Sequence, residues 1–381
     1  MAQAAGPLLA RSHTRSAGRR GAEQPMAAHW AKGHLDAIRT YRDHSKREVA
    51  RVKRNLEGLS ADDQASLVWK AADQIQAMEE AVRANFECLD KIVELIKESK
   101  PPAHGPVSGP ADGHKAVQNM LQLLVREWTQ EGEVERKECH ERIHAALDGH
   151  LKPQLESARA EGKPPPRVLV PGSQMGRLLY EVCARGYDCE ACEARPLPYF
   201  GGELVRRHGA QIGAHRIQPF ALNTCNRFKK GDHVRVTPVP DVEVPVGSLP
   251  TAALGDLIKL YDTAPSRGSF DAVATAFTLD TSSNIFRFIR TVAHVVREGG
   301  LWVNFGPLCY DSGHDEARGS SMELSWEELK HAVSHFFEVQ EEDFVDSFHA
   351  ANAESMMQIQ YSCVYFKAVR KANPSLGIGG S

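Results

Sequence analysis

The chain lacks several things, and each absence excludes a class of protein. No apolar run reaches the roughly 18 residues needed to cross a bilayer, so no membrane span is expected. Charge of either sign is not in excess: 46 Lys and Arg stand against 49 Asp and Glu, for a formal net charge of -3. That balance gives no basic field and no reason to expect nucleic acid. Cysteine is sparse, with 8 residues spread from Cys88 to Cys363. This is not a disulfide scaffold and suits a reducing compartment. Acidic residues are missing from the first 22 positions, where Arg11, Arg15, Arg19 and Arg20 stand among serines and alanines. That composition fits an organelle transit peptide and equally a disordered leader.

What remains is ordinary for a globular protein, with 42% hydrophobic and 25% charged residues. At 381 residues there is room for one large domain or two. Residues 1–30 read as the leader or targeting segment. From there to residue 160 the period is helical: Phe86, Leu89, Ile92, Val93 and Ile96 share one face, as do Leu121, Leu124, Val125 and Trp128. The Pro/Gly-rich stretch 99–114 interrupts this part as a loop. The charged run "REWTQEGEVERKECHERI" reads as a solvated helix surface. After "AEGKPPP" the character changes. Strand-like runs "RVLV", "YDCEACE", "HVRVTPV", "FDAVATAF" and "GLWVNFG" alternate with helical patterns, and "FFEVQEEDFV" and "YSCVYFKAV" lie close enough to pair antiparallel at an edge. Residues 161–371 therefore read as an α/β domain on a doubly wound sheet, with 372–381 a flexible tail.

The first strand ends in "LVPGSQMGRL". Gly172 and Gly176 stand there without the third glycine of a dinucleotide fingerprint, which weakens a pyrophosphate site and disfavours an NAD-dependent oxidoreductase. Glu193 ends the next strand-like run, where an acid can accept two hydrogen bonds from ribose hydroxyls. Together these favour S-adenosylmethionine. Asp256 could accept from an adenine amino group, with Leu257 beside the ring. Cys189 and Cys192 form a lone C-x-x-C; with no second pair nearby they read as free thiols, and no metal site is expected.

Longer motifs carry a family resemblance. "LVPGSQMGRLLYEVCARGYDCEACE", "FTLDTSSN", "WVNFGPLCY", "ELSWEELK" and "SMMQIQYSCVYF" resemble the carnosine N-methyltransferase (N2227-like) family. So do "YRDHSKREVARVKRNLEGLSADDQ" and "LVREWTQEGEVERKECH", so that the resemblance covers about residues 34–370. It implies a class I methyltransferase domain, Rossmann-like with an antiparallel edge strand, behind a helical N-terminal region. It further implies methyl transfer from S-adenosylmethionine to the Nπ atom of carnosine, giving anserine, in the cytoplasm or nucleus, by a homodimer.

By the same resemblance, Arg126, Gly172, Glu193, Asp256 and Leu257 fall on cofactor positions, with Ala276 on the strand facing the cofactor, and Asp280, Asp311 and Tyr361 fall on substrate positions; Gly176, from the glycine turn itself, joins the cofactor set. Two departures stand out. The family's glutamine three residues before the arginine is Leu123 here, with Gln122 adjacent, and the family histidine after "GPL-x-Y" is Asp311. Chemically, Asp280 can accept the N–H of a neutral imidazole, fixing the tautomer, and then stabilise the ring cation that methylation creates. Read locally, without the resemblance, Asp280 is first of all the N-cap of a helix beginning "TSSNIFRF". Tyr361 reads as a substrate contact or as a core tyrosine on an edge strand. Asp311 leaves open another imidazole (histidine, a related dipeptide or a protein histidine), and an inactive methyltransferase-like binding module is the alternative from a different class.

Overall fold

The computed structural model describes residues 23–102, 110–310 and 322–372. Most of the expected leader, the centre of the 99–114 loop, Asp311 and nearly all of the expected tail lie outside these residues. Five helices come first: α1 (Glu23–Glu57), α2 (Ala61–Ala65), α3 (Ala71–Glu98), α4 (Gly113–Trp128) and α5 (Glu133–Glu161). The sheet region then runs β1 (Arg167–Pro171), α6 (Arg177–Ala184), β2 (Asp188–Glu193), α7 (Pro196–His208), β3 (His215–Ile217), β4 (Thr237–Val239), β5 (Ala253–Leu254) and α8 (Leu257–Tyr261). It ends with β6 (Phe270–Ala276), α9 (Ile285–Val295), β7 (Val296–Gly306), α10 (Trp326–Ser334), β8 (Phe337–Ser347) and β9 (Tyr361–Arg370).

Seven strands form one sheet in the order β5-β2-β1-β6-β7-β9-β8. The first five are parallel, and β9 runs antiparallel between β7 and β8. This is the doubly wound sheet with an antiparallel edge expected from the sequence. One expected strand went elsewhere. The "HVRVTPV" run supplies β4, which pairs only with β3 in a separate two-stranded sheet. The main sheet's outer parallel strand is instead the two-residue β5, too short to leave a periodic signal.

Strand alternation divides the core between the two faces of the sheet. Ala272, Ala274 and Ala276 of β6, with Leu301, Val303 and Phe305 of β7, pack beneath Trp30, Leu124, Trp128 and Leu147 of the N-terminal helices. Val273 and Trp302 face the other way, onto α8, α9 and α10. The helical part therefore has no core separate from the sheet; one apolar cluster runs from Trp30 to Tyr365.

The charged run between α4 and α5 is not a solvated surface. Arg126, Glu127, Arg136 and His140 are all buried. They can be buried because they are paired, which offsets the desolvation of each charge. Arg136 donates to the carbonyls of Arg126 and Thr129 at 2.6 and 2.8 Å and to Asp241 at 2.8 Å. His140 lies 2.8 Å from Glu181, whose carboxyl is held at about 2, with burial opposed by His140 and Arg177. The helix breaks at Thr129 and restarts after Gly132, where a Cβ would overlap the carbonyl oxygens of Val125 and Arg126.

Candidate active site

The sheet's parallel strands all end on one edge, and the turn after β1 opens the site. Gly172 and Gly176 adopt φ of +63° and +85°, which glycine takes freely and other residues only under strain. At Gly172 a second reason applies. An added Cβ would overlap Oγ1 and Cγ2 of Thr278 and come within 2.8 Å of its Cβ. The Thr278 hydroxyl donates to the carbonyls of Gly172 and Ala276 at 3.2 and 3.0 Å. The turn after β1 is thus packed against the turn after β6, two residues before Asp280.

Glu193, 2% exposed at the end of β2, fastens the same turn. Its Oε2 accepts from the Gln174 N–H at 2.8 Å, and Oε1 accepts from the Arg195 N–H at 2.8 Å and Nε at 3.1 Å. Gln174 is held at φ +51°, a strained conformation for a side-chain-bearing residue. The Gly255 N–H donates to the Glu193 carbonyl at 2.9 Å, bringing Asp256 beside Glu193. Asp256 Oδ1 caps α8 through the N–H groups of Ile258 and Lys259, and Leu257, the first residue of that helix, is buried.

From the helical side, the Trp128 indole donates to the Met175 carbonyl at 3.0 Å, fixing α4 over the turn. Arg126, 2% exposed, pairs with Glu127, and its guanidinium lies 4.8 Å from the centre of the Phe277 ring. Burial opposes its charge, but Glu127, Cys139 and Glu135 outweigh that and hold its pKa above the usual value. The Arg126 Nε forms an ion pair with Glu135 at 3.7 Å, too long for a hydrogen bond, and neither Nε nor Nη2 has a hydrogen-bond partner among the described residues. Gln174 Oε1 is also buried and unpartnered. Leu123, in place of the family glutamine, is in the apolar core, and Gln122 is half-buried.

Asp280 lies in a short 3-10 turn, Leu279–Thr281, and is 6% exposed. It does not cap α9. Asn284 does, accepting from the Arg287 N–H at 2.9 Å, and the Asp280 Oδ2 instead accepts the Cys309 N–H at 2.8 Å from the turn after β7. Tyr361 starts β9, and Cys363 projects from the same face of that strand. Burial, then Cys309, then Asp280 raise the Cys363 thiol to about 12 against the lowering effect of Arg126. Tyr361 packs against the same apolar cluster as Cys363 and Tyr365. Arg126, Ala276 and Asp280 converge around Phe277 and Thr278, while Gly172, Glu193 and Asp256 line the adjoining turn.

His349 is a site residue not anticipated from the sequence. Its ring stacks on Phe277, with centroids 4.4 Å apart and planes at 28°. Its Nε2 is shielded from water and without a partner among the described residues. Burial, then Arg126, then Arg195 push the imidazole well below its usual pKa. The segment around it is tied down by Glu135, which accepts from the Ala350 and Ala351 N–H groups at 2.8 and 2.9 Å. A lone histidine in the connection between β8 and β9 carries no local pattern that would single it out.

Comparison with known proteins adds the following. A family model described as carnosine N-methyltransferase matches residues 105–372. The carnosine N-methyltransferase of Mus musculus is 29% identical over 354 residues, 88% of this chain and 84% of that protein. That of Schizosaccharomyces pombe is 29% identical over 272 residues, 67% of this chain and 70% of that protein. Among solved structures, the N-methyltransferase NodS of Bradyrhizobium japonicum in complex with S-adenosylhomocysteine is 13% identical, covers 67% of this chain and 100% of that one, and has a TM-score of 0.35. A likeness that loose carries no argument about chemistry.

Proposed function

Because the chain belongs to the carnosine N-methyltransferase family and is by that membership an N-methyltransferase, we propose that it methylates the Nπ atom of carnosine from S-adenosylmethionine. The observation that carries this reading is the placement of buried Asp280 two residues beyond Thr278, against the turn that holds Gly172. A carboxylate made to orient an imidazole belongs there, beside the site for the methyl donor.

The buried orphan atoms fit such a donor. Arg126 Nε and Nη2 suit a carboxylate, and Gln174 Oε1 suits an ammonium group. Glu193 would take the ribose hydroxyls, Oε2 having spare acceptor capacity and the half-exposed Arg195 side chain being able to yield Oε1. Asp256 and Leu257 would meet the adenine, with Gly172, Gly176 and Ala276 lining the groove. Bound there, S-adenosylmethionine supplies a methyl group on a cationic sulfur that leaves as a neutral thioether. Asp280 accepts the substrate's Nτ–H, which leaves the Nπ lone pair aimed outward. As the N–C bond forms the ring becomes a cation, which the same carboxylate stabilises before the Nτ proton departs. Tyr361 closes the substrate side.

Labelled S-adenosylmethionine and carnosine should yield anserine with the wild-type chain. Asp280→Asn should lower kcat by about 10²–10³, the scale of a lost electrostatic contact in a transition state, while retaining cofactor affinity. An Asp280→Asn enzyme with near-normal turnover refutes the assigned role. Screening histidine, homocarnosine and histidine peptides beside carnosine tests the substrate, for which Asp311 in place of the family histidine is the reason to look further.

A further inference from the structure

Two nitrogen-bearing side chains, Arg126 and His349, meet on Phe277 just beyond the end of β6 with more donor capacity than the described residues use. Arg126 brings two buried nitrogens without hydrogen-bond partners. His349 brings a third, on a ring packed on the same Phe277 that the Arg126 guanidinium overlies. Arg195 is close enough for its charge to act on His349, although its Nε is committed to Glu193. Buried donors left unmade are costly, and two arginines repel any positive charge on the imidazole. An anion arriving between them would satisfy the orphan donors and relieve the repulsion. The neighbouring carboxylates leave the hydrogen-bonding capacity open: Glu127 takes Arg126 Nη1, and Glu135, which accepts from the Ala350 and Ala351 N–H groups, stays 3.7 Å from Arg126 Nε, an ion pair without a hydrogen bond.

We propose that His349 is a cofactor-binding residue, its Nε2–H and the Arg126 guanidinium together holding the carboxylate of the cofactor's amino-acid tail. The assignment rests on the S-adenosylmethionine reading above. It gives the fold a reason for the arrangement around His349: Glu135 anchors the two residues after it, Ala350 takes φ +52°, and Phe277, itself at φ +51°, offers the ring on which the imidazole lies flat. The residue comes from the edge hairpin and Arg126 from the N-terminal helices, so the tail would be gripped by two segments more than 200 positions apart.

Calorimetric titration of the full chain with two ligands tests this. S-adenosylhomocysteine carries the amino-acid tail, and 5′-methylthioadenosine lacks it. His349→Phe keeps the stack and removes the donor; it should weaken S-adenosylhomocysteine about tenfold or more, as expected for a hydrogen bond to a charged group, and leave 5′-methylthioadenosine within about twofold. His349→Gln, which restores an N–H donor, should recover much of the loss. Equal weakening of both ligands would make His349 a structural residue and overturn the proposal, as would no weakening of either. A raised KM for carnosine with unchanged S-adenosylhomocysteine affinity would move the carboxylate to the substrate and overturn it too. A wild-type chain that binds neither ligand refutes the cofactor reading itself, and this proposal with it.

Discussion

Replacing Gly172 with alanine tests whether the glycine is required by backbone angle, by packing, or by both. At φ +63° a Cβ costs about 1–2 kcal/mol from the left-handed conformation alone. The overlap with Thr278 adds an overpacking cost of about 1–3 kcal/mol. The sum, about 2–5 kcal/mol, should appear as a lower urea midpoint with an unchanged slope. A double-mutant cycle separates the two parts. Thr278→Ala removes Oγ1 and Cγ2, the two atoms in worst conflict, while losing two hydrogen bonds to carbonyls. In the double mutant the clash is largely relieved but the backbone strain remains. The double variant should therefore be more stable than the two single effects predict, by about 1–2 kcal/mol. Additivity within about 0.5 kcal/mol would mean that the new methyl does not meet Thr278, and the packing account of the turn would be wrong. A Gly172→Ala chain as stable as wild type would refute both parts.

Other expectations follow from the same geometry. Burial, assisted by Arg185, Lys91 and Arg227 respectively, holds His144, His215 and His233 neutral down to about 4. Their folded pKa values lie below the unfolded value near 6.5, so the unfolded chain takes up protons first and stability falls as pH drops from about 6.5 to 4. Each imidazole adds a slope of up to about 1.4 kcal/mol per pH unit within that window, and His233→Phe should flatten the profile of urea midpoint against pH; an unchanged profile would refute the assignment. Asn284→Ala removes the cap of α9 and should cost about 1 kcal/mol; a change below about 0.3 kcal/mol would show that the cap does not carry α9. Glu135→Ala removes the acceptor of the Ala350 and Ala351 amides, which should then exchange hydrogen faster by mass spectrometry. Protection equal to wild type would show that Glu135 does not hold the segment.

Most strands of the main sheet were legible because each is a local apolar run bounded by turn residues, and a sheet built from them has few topologies open to it; the two-residue β5 was not, and the "HVRVTPV" run was placed in the wrong sheet. Glu193 was legible for the same reason, since its position at a strand end follows from local pattern. The buried charges were not. Glu127 and Arg136 read as surface, and Arg126 escaped that reading only through the family resemblance, because only partners seen in the fold, such as Asp241 for Arg136, make such burial tolerable. Asp280 was ambiguous locally, and the ambiguity resolves only when Asn284 is seen to take the cap. His349 depends on Phe277 and Arg126, remote in sequence, and no pattern within its own segment announces it.

The single indole hydrogen bond from Trp128 to the Met175 carbonyl has a thermodynamic reach beyond its length. It joins the helical layer to the turn that would contact the cofactor, across a core the two parts share. Occupancy of the turn and integrity of the helices are thereby linked equilibria. Whatever tightens one raises the melting point of the other, and the chain should unfold in one cooperative transition that shifts upward with ligand concentration. A sheet region cut free at residue 161 would lose that partner and leave Leu179, Phe200 and Val303 facing water. The chain's smallest functional unit is then both layers together.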